Sequence, residues 1–157
     1  MNCEPIITPP LPFVFRNVEV RAFAARPKQD TWNWARKNMR MIEGPLRKHL
    51  WNPDLAPHGK GIMEAYDAPH VRISYFLAPS QTGKTVICFC CFFSSLVTQP
   101  DNWGIGMPDI KTAQSAFQDK LHKHFEMIPA LWNMLKDGKN SLQATEIILK
   151  DCQIYAM

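Results

Sequence analysis

The segment most informative about the fold reads Ala78-Pro79-Ser80-Gln81-Thr82-Gly83-Lys84-Thr85. It follows the pattern G-x-x-x-x-G-K-[ST], except that alanine stands at the position of the first glycine. Residues 71–77, just before it, are rich in β-branched and aromatic side chains and predict a strand. The apolar run at residues 86–96 predicts a buried helix. Strand, loop and helix in this order form the context that a phosphate-binding loop requires.

The chemistry of a bound phosphate chain gives each part of the loop an expected role. Gly83 allows the backbone to approach a phosphate closely, and Lys84 reaches the β- and γ-phosphates. The hydroxyl of Thr85 is expected to bind Mg²⁺. We therefore predict ATP and Mg²⁺ as cofactors, Lys84 as the catalytic residue and Thr85 as the metal ligand. The predicted ATP-binding residues are Ala78, Pro79, Ser80, Gln81, Thr82, Gly83, Lys84 and Thr85. The alternative is a strand-to-helix turn that contains Gly-Lys-Thr and binds no nucleotide.

Hydrophobic spacing and capping residues predict the remaining elements. Asp30 or Thr31 can cap the first helix, and Asp109 can cap a later one. Further helices are predicted at residues 32–41, 60–66, 110–125 and 128–135, and further strands at residues 103–107, 145–149 and 153–157.

Composition favours a soluble globular chain, since 46% of the residues are apolar and 20% are charged. The longest apolar run, residues 86–93, is far shorter than the roughly 20 residues that a membrane span needs. The N-terminus lacks the basic start and apolar core of a secretory signal. We therefore expect a protein of the cytoplasm that makes no membrane contact.

Cysteine and histidine patterns do not predict a second chemical site. The five cysteines include no C-x-x-C pair, so we interpret them as buried thiols without a metal or a disulfide. Histidines expected at the surface or in connectors are His58, His70, His122 and His124. Tryptophans interpreted as packing residues are Trp51, Trp103 and Trp132, although a contact of Trp51 with adenine stays open.

Positive charge is concentrated between Arg16 and Lys48, where nine basic residues face only three acids. Such a surface suits a polyanion such as nucleic acid, although a solvated helix face is an equally valid interpretation. The basic residues are Arg16, Arg21, Arg26, Lys28, Arg36, Lys37, Arg40, Arg47 and Lys48.

Several short segments, taken in order, resemble the N-terminal half of the lambda-like (GpA-type) terminase large subunits of phages. The segments are Trp34-Ala35-Arg36, Gly61-Ile62-Met63-Glu64-Ala65-Tyr66 after Pro57, the loop ending in Gly83-Lys84-Thr85, Met107-Pro108-Asp109, Phe117, and Ile128-Pro129-Ala130-Leu131. The resemblance covers residues 30–157, and the order of the segments is more specific than any one of them.

The resemblance implies an α/β fold with a P-loop NTPase, RecA-like (ASCE) core and helices on both faces of an incomplete sheet. It implies the ATP-binding part of a DNA-packaging motor in the host cell cytoplasm. Its implied partners are viral double-stranded DNA, the small terminase subunit and the portal of the procapsid. The domain prediction is an extended, proline-rich, basic arm at residues 1–29, followed by the N-terminal portion of the ATPase domain at residues 30–157.

The chain departs from the complete family pattern after the P-loop. No run of four apolar residues is followed by Asp-Glu, so the Walker B strand is missing, and the nuclease carboxylates are missing too. We therefore expect an incomplete sheet and little or no ATP hydrolysis by this chain alone. Two alternatives stay open, namely a fragment of another P-loop motor such as a helicase, and a non-catalytic nucleotide-binding or interaction module.

Overall fold

The computed structural model of the protein describes residues 30–71, 73–79 and 81–157. The predicted arm at residues 1–29, with four of the nine basic residues, lies outside the described residues, as do Arg72 and Ser80. The helices are α1 (Thr31–Asn38), α2 (Gly59–Tyr66), α3 (Lys84–Thr98), α4 (Ile110–Ala116), a π-helical segment (Phe117–Leu121), α5 (His122–Met127) and α6 (Pro129–Trp132), with short 3₁₀ turns at Pro53–Leu55 and Gly138–Ser141.

A small mixed sheet supplies the β part of this α/β fold. Its strands are β1 (Trp103–Ile105), β2 (Glu146–Ile148) and β3 (Gln153–Ala156), in the spatial order β1-β3-β2. The β3 strand pairs parallel with β1 and antiparallel with β2. The α/β class and these three strand predictions are confirmed, although each strand is shorter than predicted.

The strand predicted at residues 71–77 is wrong for the described part of that segment, which forms neither strand nor helix. Ile73, Tyr75 and Leu77 are 72%, 89% and 95% exposed, whereas Phe76 is half-buried. The residue types favour a strand, but a strand also needs backbone hydrogen bonds from a neighbouring strand. The three-stranded sheet does not supply them to this segment.

The buried helix predicted after the loop is confirmed as α3, which is longer than expected and runs through the centre of the core. Ile87, Cys90, Phe93 and Leu96 on this helix are each at most 1% exposed. The ring of Phe93 meets the ring of Phe125 edge to face, with centroids 6.0 Å apart. Full burial of each large apolar side chain contributes about 1.5–3 kcal/mol, so this packing fixes the helix that follows the loop.

The start of α1 is tied to the end of α2. The Asp30 side chain accepts a hydrogen bond from the Asn33 backbone N–H, which confirms Asp30 as the capping residue. One carboxylate oxygen of Asp67 accepts from the Thr31 backbone N–H at 2.7 Å, and the other accepts from the Thr31 hydroxyl at 2.6 Å. This pair of bonds fixes α1 against α2.

Two predictions about burial are wrong. His124 is only 2% exposed, not a surface residue, because α5 packs it between the rings of Phe89 and Phe93. Cys88 is exposed, although it follows the same face of α3 as the buried Cys91, because it lines a cavity with Ile62 and Phe76. Cys90, Cys91 and Cys152 are buried free thiols, as predicted, while Cys3 lies outside the described residues.

Candidate nucleotide-binding site

The loop turns into α3 through two residues with left-handed backbone geometry. Gly83 has φ +77° and is the N-cap of the helix, and Gln81 has φ +62°. The first helical hydrogen bond after the turn runs from the Ile87 N–H to the Gly83 carbonyl at 3.0 Å. The N–H groups of the first helical turn therefore have no acceptor within the helix and remain available to an anion.

The side chain of Lys84 folds back over the loop from the first residue of α3. Its ammonium group donates to the carbonyl oxygens of Ala78 at 2.9 Å and Pro79 at 2.5 Å. The Thr82 hydroxyl also donates to the Pro79 carbonyl, at 3.0 Å. These bonds connect the two ends of the loop and hold the Lys84 ammonium group against the carbonyls at its start.

These residues fit a bound triphosphate. The ammonium group of Lys84 carries the complementary charge, and the start of α3 adds the positive end of a helix dipole. A Cβ atom added to Gly83 would meet nothing within 4 Å, so the space next to this turn is open. When a nucleotide is bound, Mg²⁺ would neutralise phosphate charge, and the Thr85 hydroxyl is the group of the loop suited to hold it.

A cavity of about 170 Å³ lies beside the loop, and Thr85 forms part of its wall. Its floor is largely apolar, and its polar wall residues include two cations and one carboxylate. The wall residues are Met39, Arg40, Met41, Ile42, Glu43, Thr85, Val86, Phe89, Lys120 and His124. Positive charge therefore lies in the same cavity wall as Thr85, the predicted metal ligand. It comes from Arg40, after the end of α1, and from Lys120, in the π-helical segment.

His124 is the most buried ionisable group of this cavity. Burial lowers its pKa to about 4, so the ring is neutral at pH 7. Its Nδ1 atom is buried and has no hydrogen-bond partner among the described residues. The local sequence does not place His124 at the site, because its burial by α3 and α5 depends on how the helices pack.

His58 is a second residue of the site that local sequence patterns do not indicate. Its side chain is exposed, as predicted for a connector histidine, yet its Nε2 atom lies 3.0 Å from the Thr82 carbonyl oxygen of the loop. Twenty-four residues separate the two in sequence, and no local pattern links them. The tertiary structure alone brings them together.

Comparison with known families supplies the decisive observation. A family model described as phage terminase large subunit gpA, ATPase domain, matches residues 47–155, which is more than half of the chain. The chain belongs to this family. The resemblance predicted for residues 30–157 is thereby confirmed over the matched residues, which include the whole loop and α3. No curated protein and no solved structure matches the chain.

The terminase ATPase family is compatible with the observed α/β fold, in which the loop, α3 and the sheet up to residue 155 of β3 lie inside the matched residues. Membership implies the use of ATP and a part in a phage DNA-packaging motor. Within residues 30–71, 73–79 and 81–157, no helix has the length and apolar character needed to cross a bilayer.

Proposed function

We propose that this chain binds ATP with Mg²⁺ at residues 78–85 and is the ATP-binding part of a phage terminase motor. The observation that carries the proposal is the position of Lys84. Its ammonium group lies within hydrogen-bond distance of two loop carbonyls, at the start of a 15-residue helix whose first turn offers free N–H groups.

In the proposed complex, the ammonium group exchanges its bonds to the loop carbonyls for bonds to the β- and γ-phosphates. These new bonds are stronger, because the phosphate oxygens carry charge and the carbonyls do not. The N–H groups from Gly83 onward hold the phosphate chain. Thr85 holds the Mg²⁺ that neutralises the charge of the phosphates. Ala78 and Pro79 then form the wall of the loop.

We further propose that the α/β core is RecA-like and that residues 30–157 form the N-terminal portion of the ATPase domain. The sequence contains no apolar run followed by Asp-Glu, so these residues offer no Walker B carboxylate to orient an attacking water. The chain alone should therefore bind ATP and hydrolyse it poorly. Single-turnover hydrolysis that depends on Mg²⁺ and on Lys84 would refute this part of the proposal.

The partners of the motor are proposed from family membership and charge. The exposed cations Arg36, Lys37, Arg47 and Lys48, with the half-buried Arg40, lie on or just after α1 and suit the phosphates of double-stranded DNA. The small terminase subunit, the portal of the procapsid and a place in the host cytoplasm follow from the resemblance alone.

The test is binding of a fluorescent ATP analogue, with and without Mg²⁺ and in competition with unlabelled ATP. We expect saturable binding that ATP displaces and that Mg²⁺ strengthens. Absence of displaceable binding at millimolar nucleotide would refute the nucleotide site, whatever the state of hydrolysis.

A second function, an interaction module without catalysis, is favoured by one observation. Ile73, Tyr75 and Leu77 are all more than 70% exposed, and together they place alternate apolar side chains in solvent just before the loop. Exposed apolar patches often mark protein interaction sites. Under this alternative, Tyr75→Ser would abolish self-association or partner capture and leave nucleotide binding unchanged.

A further inference from the structure

The contact between His58 and Thr82 joins the start of α2 to the loop. The Nε2 atom of His58 lies 3.0 Å from the backbone carbonyl oxygen of Thr82. A carbonyl oxygen can only accept a hydrogen bond, so the imidazole must be the donor. The contact therefore fixes the orientation of the Thr82 carbonyl group in the loop.

The direction of this carbonyl also sets the direction of the next N–H group. The described residues contain no cis peptide bond, and in a planar trans peptide the C=O and the following N–H point in opposite directions. A Thr82 carbonyl held toward His58 therefore directs the Gly83 N–H away from His58. Phosphate-binding loops require N–H groups that converge on the anion, with the carbonyls turned outward.

His58 itself is held in place by packing at the start of α2. The neighbouring Gly59 is buried, and a Cβ atom added to it would lie only 3.3 Å from Cδ1 of Ile87 on α3. Met63, one turn further along α2, is fully buried. The backbone that carries His58 therefore packs directly on α3, the helix that follows the loop.

We propose that His58 is a positioning residue for nucleotide binding, which acts by fixing the Thr82–Gly83 peptide so that the Gly83 N–H faces the phosphates. The inference rests on the proposed nucleotide site and adds a residue outside the loop to it. His58 acts on the phosphate chain and not on the base.

The test compares two substitutions of similar size, His58→Gln and His58→Met, by binding of ATP and of inorganic tripolyphosphate. Glutamine can still donate to the Thr82 carbonyl, whereas methionine cannot. We expect His58→Met to weaken both ligands by the same factor, about 3- to 10-fold, as for the loss of one hydrogen bond. His58→Gln should restore most of the affinity, and His70→Ala, at an exposed histidine, should leave it unchanged.

Unfolding by urea separates positioning from folding, since the exposed side chain of His58 should leave the midpoint of His58→Met close to that of the unmodified chain. Equal affinity of the methionine and glutamine variants would overturn the inference. A loss for ATP with none for tripolyphosphate would also overturn it, because it would place His58 at the base. If the unmodified chain binds neither ligand, the proposed nucleotide site fails first, which is a different result.

Gly59→Ala provides an independent check, because it leaves His58 intact. The added methyl group would lie 3.3 Å from Cδ1 of Ile87, so the Ile87 side chain or α2 itself must shift by a few tenths of an ångström. We expect the affinity for both ligands to fall, although every residue of the loop is unchanged. Unchanged affinity, together with a lowered unfolding midpoint, would show that the position of α2 does not control the loop.

Discussion

The ammonium nitrogen of Lys84 lies 2.9 Å from the carbonyl oxygen of Ala78, which ties the first residue of α3 to the first residue of the loop. A second bond reaches the Pro79 carbonyl. The lysine therefore connects the two ends of the loop, and in the proposed complex the same atom turns to the phosphates. Its substitution should affect the ligand more than the fold, because one bond to the carbonyls is exposed and the other is only partly buried.

Lys84→Ala is expected to lower the affinity for the ATP analogue by about 10- to 100-fold, as for the loss of charge-assisted hydrogen bonds. The free energy of unfolding should change by less than about 1 kcal/mol. Binding titrations and urea unfolding measure the two effects. Lys111→Ala, which removes an exposed lysine of α4, is the matched control, and equal affinities of the two variants would contradict the assignment.

Thr85→Ala is expected to reduce the effect of Mg²⁺ on nucleotide affinity by roughly 10-fold, because the proposed metal ligand is its hydroxyl oxygen. Thr85→Ser keeps that oxygen and should behave like the unmodified chain. The measurement is a nucleotide titration at several Mg²⁺ concentrations. The role of Thr85 would be wrong if the alanine and serine variants responded to Mg²⁺ in the same way.

Gly83→Ala and Gly61→Ala form a pair in which the added methyl group meets open space in both cases. Gly83 has φ +77°, and a left-handed conformation costs a residue with a Cβ roughly 1–2 kcal/mol, so the first variant should be destabilised. Gly61 lies within α2, where alanine should instead stabilise by about 0.5–1 kcal/mol. Urea unfolding should show changes in the free energy of unfolding that have opposite signs in the two variants. Changes of the same sign would contradict the prediction.

The buried ring of His124 should make stability fall in mild acid. Its pKa is lowered to about 4 in the fold because burial disfavours the charged form, whereas the unfolded chain has the ordinary value of 6.5. The contribution of the neutral His124 ring to the free energy of unfolding is complete above pH 6.5 and is lost as the pH falls from 6.5 to about 4. The unfolded state binds the proton over that window and the folded state does not. The loss is on the order of 3 kcal/mol.

His124→Phe tests this expectation, because phenylalanine keeps an aromatic ring against Phe89 and Phe93 and cannot be protonated. Relative to the unmodified chain, the variant should gain stability progressively between pH 6.5 and 4. The pKa of His122 is also lowered, chiefly by burial, and the variant leaves that residue in place as an internal reference. If the difference in the free energy of unfolding between the variant and the unmodified chain stayed constant across this pH range, the proposed role of His124 would be ruled out.

Local features of this protein could be predicted from its sequence, since they depend on residues a few positions apart. Asp109 accepts a hydrogen bond from the Thr112 N–H and caps α4, as its position before the helix predicted. The apolar run after Lys84 forms α3, and the order of short segments identified the terminase family. The cap and the apolar run are signals within a few turns of chain, whereas the family signal is the order of short segments from Trp34 to Leu131.

Only the tertiary structure decided which residues are buried and which distant groups meet. The apolar residues around Tyr75 remain outside the sheet, because a strand requires partners that local propensity cannot provide. In the same way, α3 is apolar on nearly every side, so its sequence could not reveal that Cys88 is exposed. The contact of His58 with Thr82 and the burial of His124 depend on how helices pack, and packing is set by the whole core at once.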